Sequence, residues 1–209
     1  MPYSLYVITD PALSLGRLHA DVAALAVAGG ADVIQLRDKF ATGRDLLAAA
    51  EAIRTITASA GALFIVNDRL DIALASGADG VHLGQDDLPV QAARKIAPDL
   101  IIGVSVGSVG EGVRAVADGA DYVALSPLFS TPSKVDAGRG CGLDLLTTLC
   151  GELTVPVLAI GGINPSNVQQ VIRAGAAGVA VISAVVSQPE IPLAVSGLKS
   201  LILEAKNPV

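Results

Sequence analysis

Apolar residues along the chain fall into short runs, and the runs come in two alternating kinds. One kind follows a recurring phrase: GADVIQL from Gly30, GADGVHL from Gly77, GADYVAL from Gly119 and GAAGVAV from Gly175. Each phrase opens on a glycine suited to closing a helix in the left-handed conformation, then passes into β-branched residues that favour a strand. The other kind has no such lead-in: SLYVIT from Ser4, LFIVN from Leu63, IIGVS from Ile101 and PVLAIGG from Pro156. Between the runs, Ala, Leu and Val recur at helical spacing over 18–28, 46–58, 90–96, 109–117, 143–149, 168–174 and 193–205. The pattern predicts eight strands alternating with helices, each strand covered on both faces. That is the signature of an α/β chain folded as a (β/α)8 barrel, here a single domain over residues 1–209. A doubly wound open sheet is the alternative; even repetition without a shift in composition favours closure.

The stretch from Phe64 to Asp87, FIVNDRLDIALASGADGVHLGQDD, is one strand–helix–strand unit of this pattern. Parallel strands in such a unit point the same way, so Asp68 and Asp87, just past their ends, emerge at one rim. Two carboxylates side by side repel unless a cation lies between them, and a hard divalent ion such as Mg²⁺ suits oxygen donors. Taken alone, the pair is better read as two helix N-caps, common just after a strand.

Composition narrows the picture. Hydrophobic residues make up 52% and charged residues 16% of the 209, a balance expected of strands buried on both faces. No apolar run has the length of a membrane span, and the start, MPYSLYVITDP, lacks the basic region of a secretory signal. Cys141 and Cys150 have no metal-like spacing and read as reduced thiols of a cytoplasmic protein. A net charge of -6 argues against a nucleic-acid surface. Yet Arg37, Lys39, Arg69 and Lys134 all fall where strands end, an arrangement for a small anionic ligand.

The strand ends can be read as a set of tools, because chemistry in a barrel sits at that rim. Gln35 and His82 hold the same slot in their strands and are expected to point into the barrel. On spacing alone, His82 is equally a hydrogen-bonded core histidine. His19 lies on an amphipathic helix and is expected to face solvent. Strand two ends in Arg37 and Lys39, a fork and a point charge suited to diphosphate, although on its own the pair is better read as a solvated charge cluster. Asn67 and Asp68 follow strand three, and Ser105 ends strand five. Thr131, Ser133 and Lys134 sit in a proline-bearing loop and read as phosphate contacts or as a plain polar turn. Gly161 and Gly162 close strand seven, and Ile182 and Ser183 close strand eight, the usual place for a monophosphate in this fold. Two anion sites with an acid pair between them suggest an enzyme that joins two phosphorylated molecules and releases diphosphate.

These residues are similar to a known family. QLRDK at 35–39, ND at 67–68, GVHLGQDD at 80–87, GVS at 103–105, TPSK at 131–134, IGGI at 160–163 and VIS at 181–183 together resemble thiamine phosphate synthase, over nearly the whole chain. The resemblance implies a Mg²⁺-dependent transferase that joins hydroxymethylpyrimidine diphosphate to thiazole phosphate, giving thiamine phosphate and diphosphate. It implies diphosphate contacts from Gln35, Arg37, Lys39, Asn67, Ser105 and Lys134, and metal ligation by Asp68 and Asp87. Thiazole-phosphate contacts would come from Thr131, Ser133, Gly162, Ile182 and Ser183. The family's chemistry is dissociative: diphosphate leaves, a pyrimidine cation forms, and the thiazole nitrogen attacks it. Gly107 stands where members often carry His, Ser126 where Gly is usual, and Ser133 where Thr is usual. A related thiazole tautomerase and a non-catalytic phosphate-binding regulator share the barrel. The full set Arg37, Lys39, Asp68, Asp87 and Lys134 favours the synthase, and Gly107 removes a histidine that the tautomerase would use. No nucleic-acid or membrane partner is expected, and the sequence leaves the oligomeric state open.

Overall fold

A computed structural model describes residues 3–130 and 140–207 and shows a closed barrel of eight parallel strands in sequence order. The strands are β1 (Leu5–Ile8), β2 (Val33–Leu36), β3 (Leu63–Asn67), β4 (Gly80–Leu83), β5 (Ile101–Val106), β6 (Tyr122–Leu125), β7 (Val157–Ile160) and β8 (Gly178–Val181). β1 pairs with β2 on one side, Val7 opposite Ile34, and with β8 on the other, Val7 opposite Val181. That second pairing closes the ring and excludes an open sheet. Helices α1 (His19–Ala28), α2 (Gly43–Ala60), α3 (Leu70–Ser76), α4 (Val90–Ile96), α5 (Val109–Ala117), α6 (Gly142–Glu152), α7 (Val168–Arg173), α8 (Ser183–Val186) and α9 (Ile191–Lys206) follow the strands. Among the described residues, no helix is long and apolar enough to cross a membrane.

Helix ends follow local chemistry more closely than the apolar spacing does. α2 begins three residues before its first apolar position, Leu46, because the Thr42 hydroxyl caps it by accepting from the Asp45 N–H at 3.3 Å. It stops at Gly61, where φ is 69°.

The Gly-Ala-Asp phrase has a structural explanation at the bottom of the barrel. Asp32 accepts the Leu5 N–H at 2.8 Å, Asp79 accepts the Phe64 N–H at 2.8 Å, and Asp121 accepts the Ile102 N–H at 2.7 Å. Each carboxylate thus holds the start of the preceding strand. Each also pairs with a helix cation: Asp32 with Lys199, Asp79 with Arg54 and Asp121 with Arg94. The fourth copy has Ala177 in place of the acid, and there Lys206 donates directly to the Ala177 carbonyl at 2.6 Å.

Inside the ring, aromatic rings fill the space. Tyr3, Tyr6 and Tyr122 are fully buried, with ring centroids 5.1 Å apart for Tyr3 and Tyr122 and 6.3 Å apart for Tyr6 and Tyr122. A Cβ at Gly103 would fall on the Tyr122 ring, so β5 has to be bare at that position. Gly103→Ala should therefore cost about 1–3 kcal/mol through overpacking. Gly197, exposed within α9 with open space around it, should behave oppositely: Gly197→Ala should stabilise by up to about 1 kcal/mol. Urea denaturation of both variants tests this, and shifts of the same sign would show that the interior packing has been misread.

Candidate active site at the carboxyl ends of the strands

A cavity of about 800 Å³ opens at the carboxyl ends of the strands. β2 brings Gln35, Arg37 and Lys39 to it, β3 brings Asn67 and Asp68, β4 brings His82 and Asp87, and β5 brings Ser105. A smaller recess of about 30 Å³ adjoins it, lined among others by Gly162, Ile182 and Ser183. Ser126, Pro127, Ile160 and Ala180 line both, so the two spaces share a wall. Thr131, Ser133 and Lys134 lie outside the described residues.

The acid pair comes together, and neither member caps a helix. Asp68 has φ 62°, a left-handed conformation that Asp tolerates better than most residues. Its N–H reaches the His82 carbonyl at 2.8 Å, and the Arg69 N–H turns back to the Asn67 carbonyl at 2.7 Å. The chain thus bends sharply at the end of β3, and α3 starts only after Arg69. Asp87 accepts the Gly84 N–H at 2.7 Å, which fixes its carboxylate beside the end of β4. Burial pushes the Asp68 carboxyl up to about 6, helped by a hydrogen bond with Asp87 and by its charge; Lys39 and Arg37 act against this rise. Among the described residues there is no group of three or more His, Cys, Asp or Glu placed to hold a metal, so these acids stand as a pair.

The cationic side of the cavity is braced by residues that sequence patterning did not single out. Asp10, buried after β1, accepts from Arg37 Nη1 at 2.8 Å. The Thr9 hydroxyl accepts the Arg37 N–H at 3.2 Å and meets His19 Nδ1 at 2.8 Å. His19 Nε2 lies 3.2 Å from Asp38. His19 is therefore half-buried and paired, contrary to the expectation of a solvent-facing residue. It opens α1, where the chain turns back from the rim, so tertiary contacts rather than helix periodicity decide its surroundings. The Asp38 carboxyl lies below its usual value: burial opposes the charge, but the Phe40 N–H, His19 and the Ala41 N–H outweigh that cost. The acid of QLRDK thus shapes the loop that carries Lys39.

Beneath the cavity runs a line of buried hydrogen bonds. Gln35 Nε2 donates to the Tyr6 hydroxyl at 2.7 Å, and the Tyr6 and Tyr122 hydroxyls are 3.1 Å apart. The Tyr122 hydroxyl lies 3.0 Å from His82 Nδ1, and His82 Nε2 lies 2.9 Å from Ser105 Oγ. His82 is thus both a satisfied core histidine and part of the cavity wall. Gln35 and His82 do face the barrel interior. Tyr6 and Tyr122 were missed because a tyrosine in a strand reads as apolar filling; the only signal was a phenol in a slot facing inward.

At the small recess, Gly162 has φ 66°, and a Cβ there would lie 2.8 Å from Phe129 Cβ and 2.9 Å from the Ser130 carbonyl. Only glycine fits, which leaves the backbone bare. Gly107 carries no side chain toward the site; its N–H donates to Glu111 at 2.7 Å.

Fold and site define a closed parallel (β/α)8 barrel with a cationic and acidic cavity at its catalytic rim. The family profile of thiamine monophosphate synthase matches residues 5–185. A thiamine-phosphate synthase of Methanoculleus marisnigri is 61% identical over 99% of this chain and 98% of its own length. One from Methanoregula boonei is 57% identical over 99% and 96%. The solved thiamine phosphate pyrophosphorylase of Pyrococcus furiosus superposes with a TM-score of 0.93 at 40% identity, covering 99% of this chain and 98% of that one. The chain belongs to the thiamine monophosphate synthase family.

The Asp68 shift has a consequence for stability without metal. Between about 4 and about 6 the folded chain holds a proton on Asp68 that the unfolded chain has released. The contribution of protonated Asp68 is complete below that window and is lost as pH rises through about 6. In chelator, wild-type stability should fall across this window, whereas Asp68→Asn should show a flatter profile and exceed wild type at neutral pH. Urea midpoints against pH check this; parallel profiles for the two proteins would refute the raised Asp68 carboxyl.

Proposed function

We propose that the protein joins hydroxymethylpyrimidine diphosphate to thiazole phosphate in a Mg²⁺-dependent reaction, yielding thiamine phosphate and diphosphate. The observation that carries this reading is the meeting, in one cavity, of two facing carboxylates with Arg37 and Lys39 beside them. Neither feature alone demands a diphosphate; together they suit an anion held jointly by side-chain cations and a divalent ion. The donor set fits that ion: two carboxylates, one of them with its charge disfavoured by the other, form a hard oxygen pair that a cation would relieve.

Asp68 and Asp87 would hold the metal, which when bound offsets diphosphate charge. Arg37 would grip the diphosphate with a guanidinium already oriented by Asp10. Lys39 and Lys134 add point charges, Asn67 and Ser105 add donors, and Gln35 and His82 line the floor. The bond that breaks joins the pyrimidine methylene carbon to a diphosphate oxygen, whose electron pair leaves with the diphosphate. The bond that forms joins that carbon to the thiazole nitrogen. Negative charge grows on the leaving group, so fixed donors and cations lower the barrier, and no side-chain base is required. The bare amide at Gly162, with Ile182, Ser183, Thr131 and Ser133, would seat the thiazole phosphate in the adjoining recess. The cytoplasm remains the proposed setting, a compartment suited to the free thiols of Cys141 and Cys150.

Purified protein given both substrates with Mg²⁺ should release diphosphate and form thiamine phosphate. Lys39→Ala should slow this by roughly 10²-fold, as for loss of one preorganised donor, and Asp68→Ala should abolish it. Isomerisation of thiazole phosphate alone, with no diphosphate released when both substrates are present, would overturn the reading. The two anion sites should also separate in calorimetry. Gly162→Val should weaken thiazole phosphate binding and leave diphosphate binding largely intact, and equal losses of both would contradict two distinct sites.

A further inference from the structure

The buried line of hydrogen bonds under the cavity has a direction, because its members have limited protons to give. Gln35 donates from Nε2 to the Tyr6 oxygen, so the single Tyr6 proton is free to go on to Tyr122 at 3.1 Å. The Tyr122 oxygen then accepts, and its own proton goes to His82 Nδ1 at 3.0 Å. A neutral imidazole that accepts at Nδ1 carries its proton on Nε2, which donates to Ser105 Oγ at 2.9 Å. With its oxygen accepting from His82, the serine hydroxyl has its proton left for the cavity that it lines.

We propose that Tyr6, Tyr122 and His82 form a one-way hydrogen-bond chain that positions the Ser105 hydroxyl as a donor to a phosphate oxygen of the substrate. The order is set at the far end, by the amide face that Gln35 turns to Tyr6. Reversing that face would reverse every bond: Gln35 would accept, His82 would carry its proton on Nδ1, and the Ser105 proton would be spent on His82. Ser105 would then present only lone pairs, which repel a phosphate. Burial keeps water from reshuffling the chain, since both tyrosines are shielded completely or nearly so. The polarity of the chain follows from its one directed bond, Gln35 Nε2 to the Tyr6 hydroxyl; only the identity of the acceptor rests on the function proposed above.

The chain has only two histidines, His19 and His82, so long-range proton–nitrogen correlation spectra of histidine-labelled protein can read the tautomer directly. His19→Gln assigns the signals. The expected result is neutral His82 protonated on Nε2; protonation on Nδ1, or on both nitrogens, would overturn the proposal without any variant. Tyr122→Phe removes the hydroxyl that holds Nδ1 as an acceptor. It should give mixed tautomers and lower kcat about tenfold, the rate equivalent of one ordinary hydrogen bond, with KM for thiazole phosphate unchanged. An unchanged tautomer and unchanged kcat would refute the positioning role, and Tyr6→Phe provides the same comparison if Tyr122→Phe does not fold. Product formed by a wild-type protein with the wrong tautomer sinks this inference alone. The right tautomer with no product from either substrate sinks the proposed reaction and leaves the proton order standing.

Discussion

Closing eight parallel strands into a ring creates an interior that has to be filled, and whatever fills it also becomes the floor of the site above. Here the filling is aromatic: Tyr3, Tyr6 and Tyr122 are buried together, Gly103 leaves room for the Tyr122 ring, and Gly178 leaves room for the backbone at Tyr3. An all-aliphatic plug would satisfy the packing and leave a featureless floor. Phenols satisfy the packing with their rings and bring hydroxyls up to meet Gln35 and His82. The same residues thereby fill the barrel and shape the chemistry of its floor, and the Tyr6 and Tyr122 hydroxyls find partners on β2, on β4 and in each other.

The two ends of the barrel put aspartate to opposite uses. At the strand starts, Asp32, Asp79 and Asp121 each bind a backbone N–H and a helix cation, so their charge is spent on joining layers. At the strand ends, Asp68 and Asp87 face each other, and burial raises the cost of the Asp68 charge. Lys39 and Arg37 offset only part of that cost, and the Arg37 guanidinium is also engaged by Asp10. Arg37 and Lys39 line the same cavity as Asp68 and Asp87, whereas Arg54, Arg94 and Lys199 are paired with the acids at the strand starts.

Much of the architecture was legible in the sequence because it rests on local, repeated causes. The alternation of apolar runs with helical spacing, and the glycine that ends each helix before a Gly-Ala-Asp phrase, determined eight βα units and their order. Parallel direction then put Asp68 and Asp87 on one rim, with Arg37, Lys39, Asn67 and Ser105 around the same mouth. That inference needed only the rule that strands in such units point one way.

Other features depended on residues far apart in the chain, and no window of sequence contains them. Tyr6 meets Tyr122 only because β1 and β6 face each other across the axis, which turns apparent filler into a hydrogen-bonded floor. His19 is drawn from helix surface into a pairing with Thr9 and Asp38, and Asp10 becomes the brace of Arg37, because the β1 and β2 ends adjoin at the rim. Asp68 reads as a helix cap in sequence and is instead turned by a left-handed backbone toward Asp87. Sequence determined the elements, their direction and the kinds of side chain at each strand end, since these follow from periodicity and local conformational preference. Which side chains share a proton, a charge or a cavity was decided by the tertiary structure, because hydrogen bonds and repulsion act over a few ångströms of space whatever the separation along the chain.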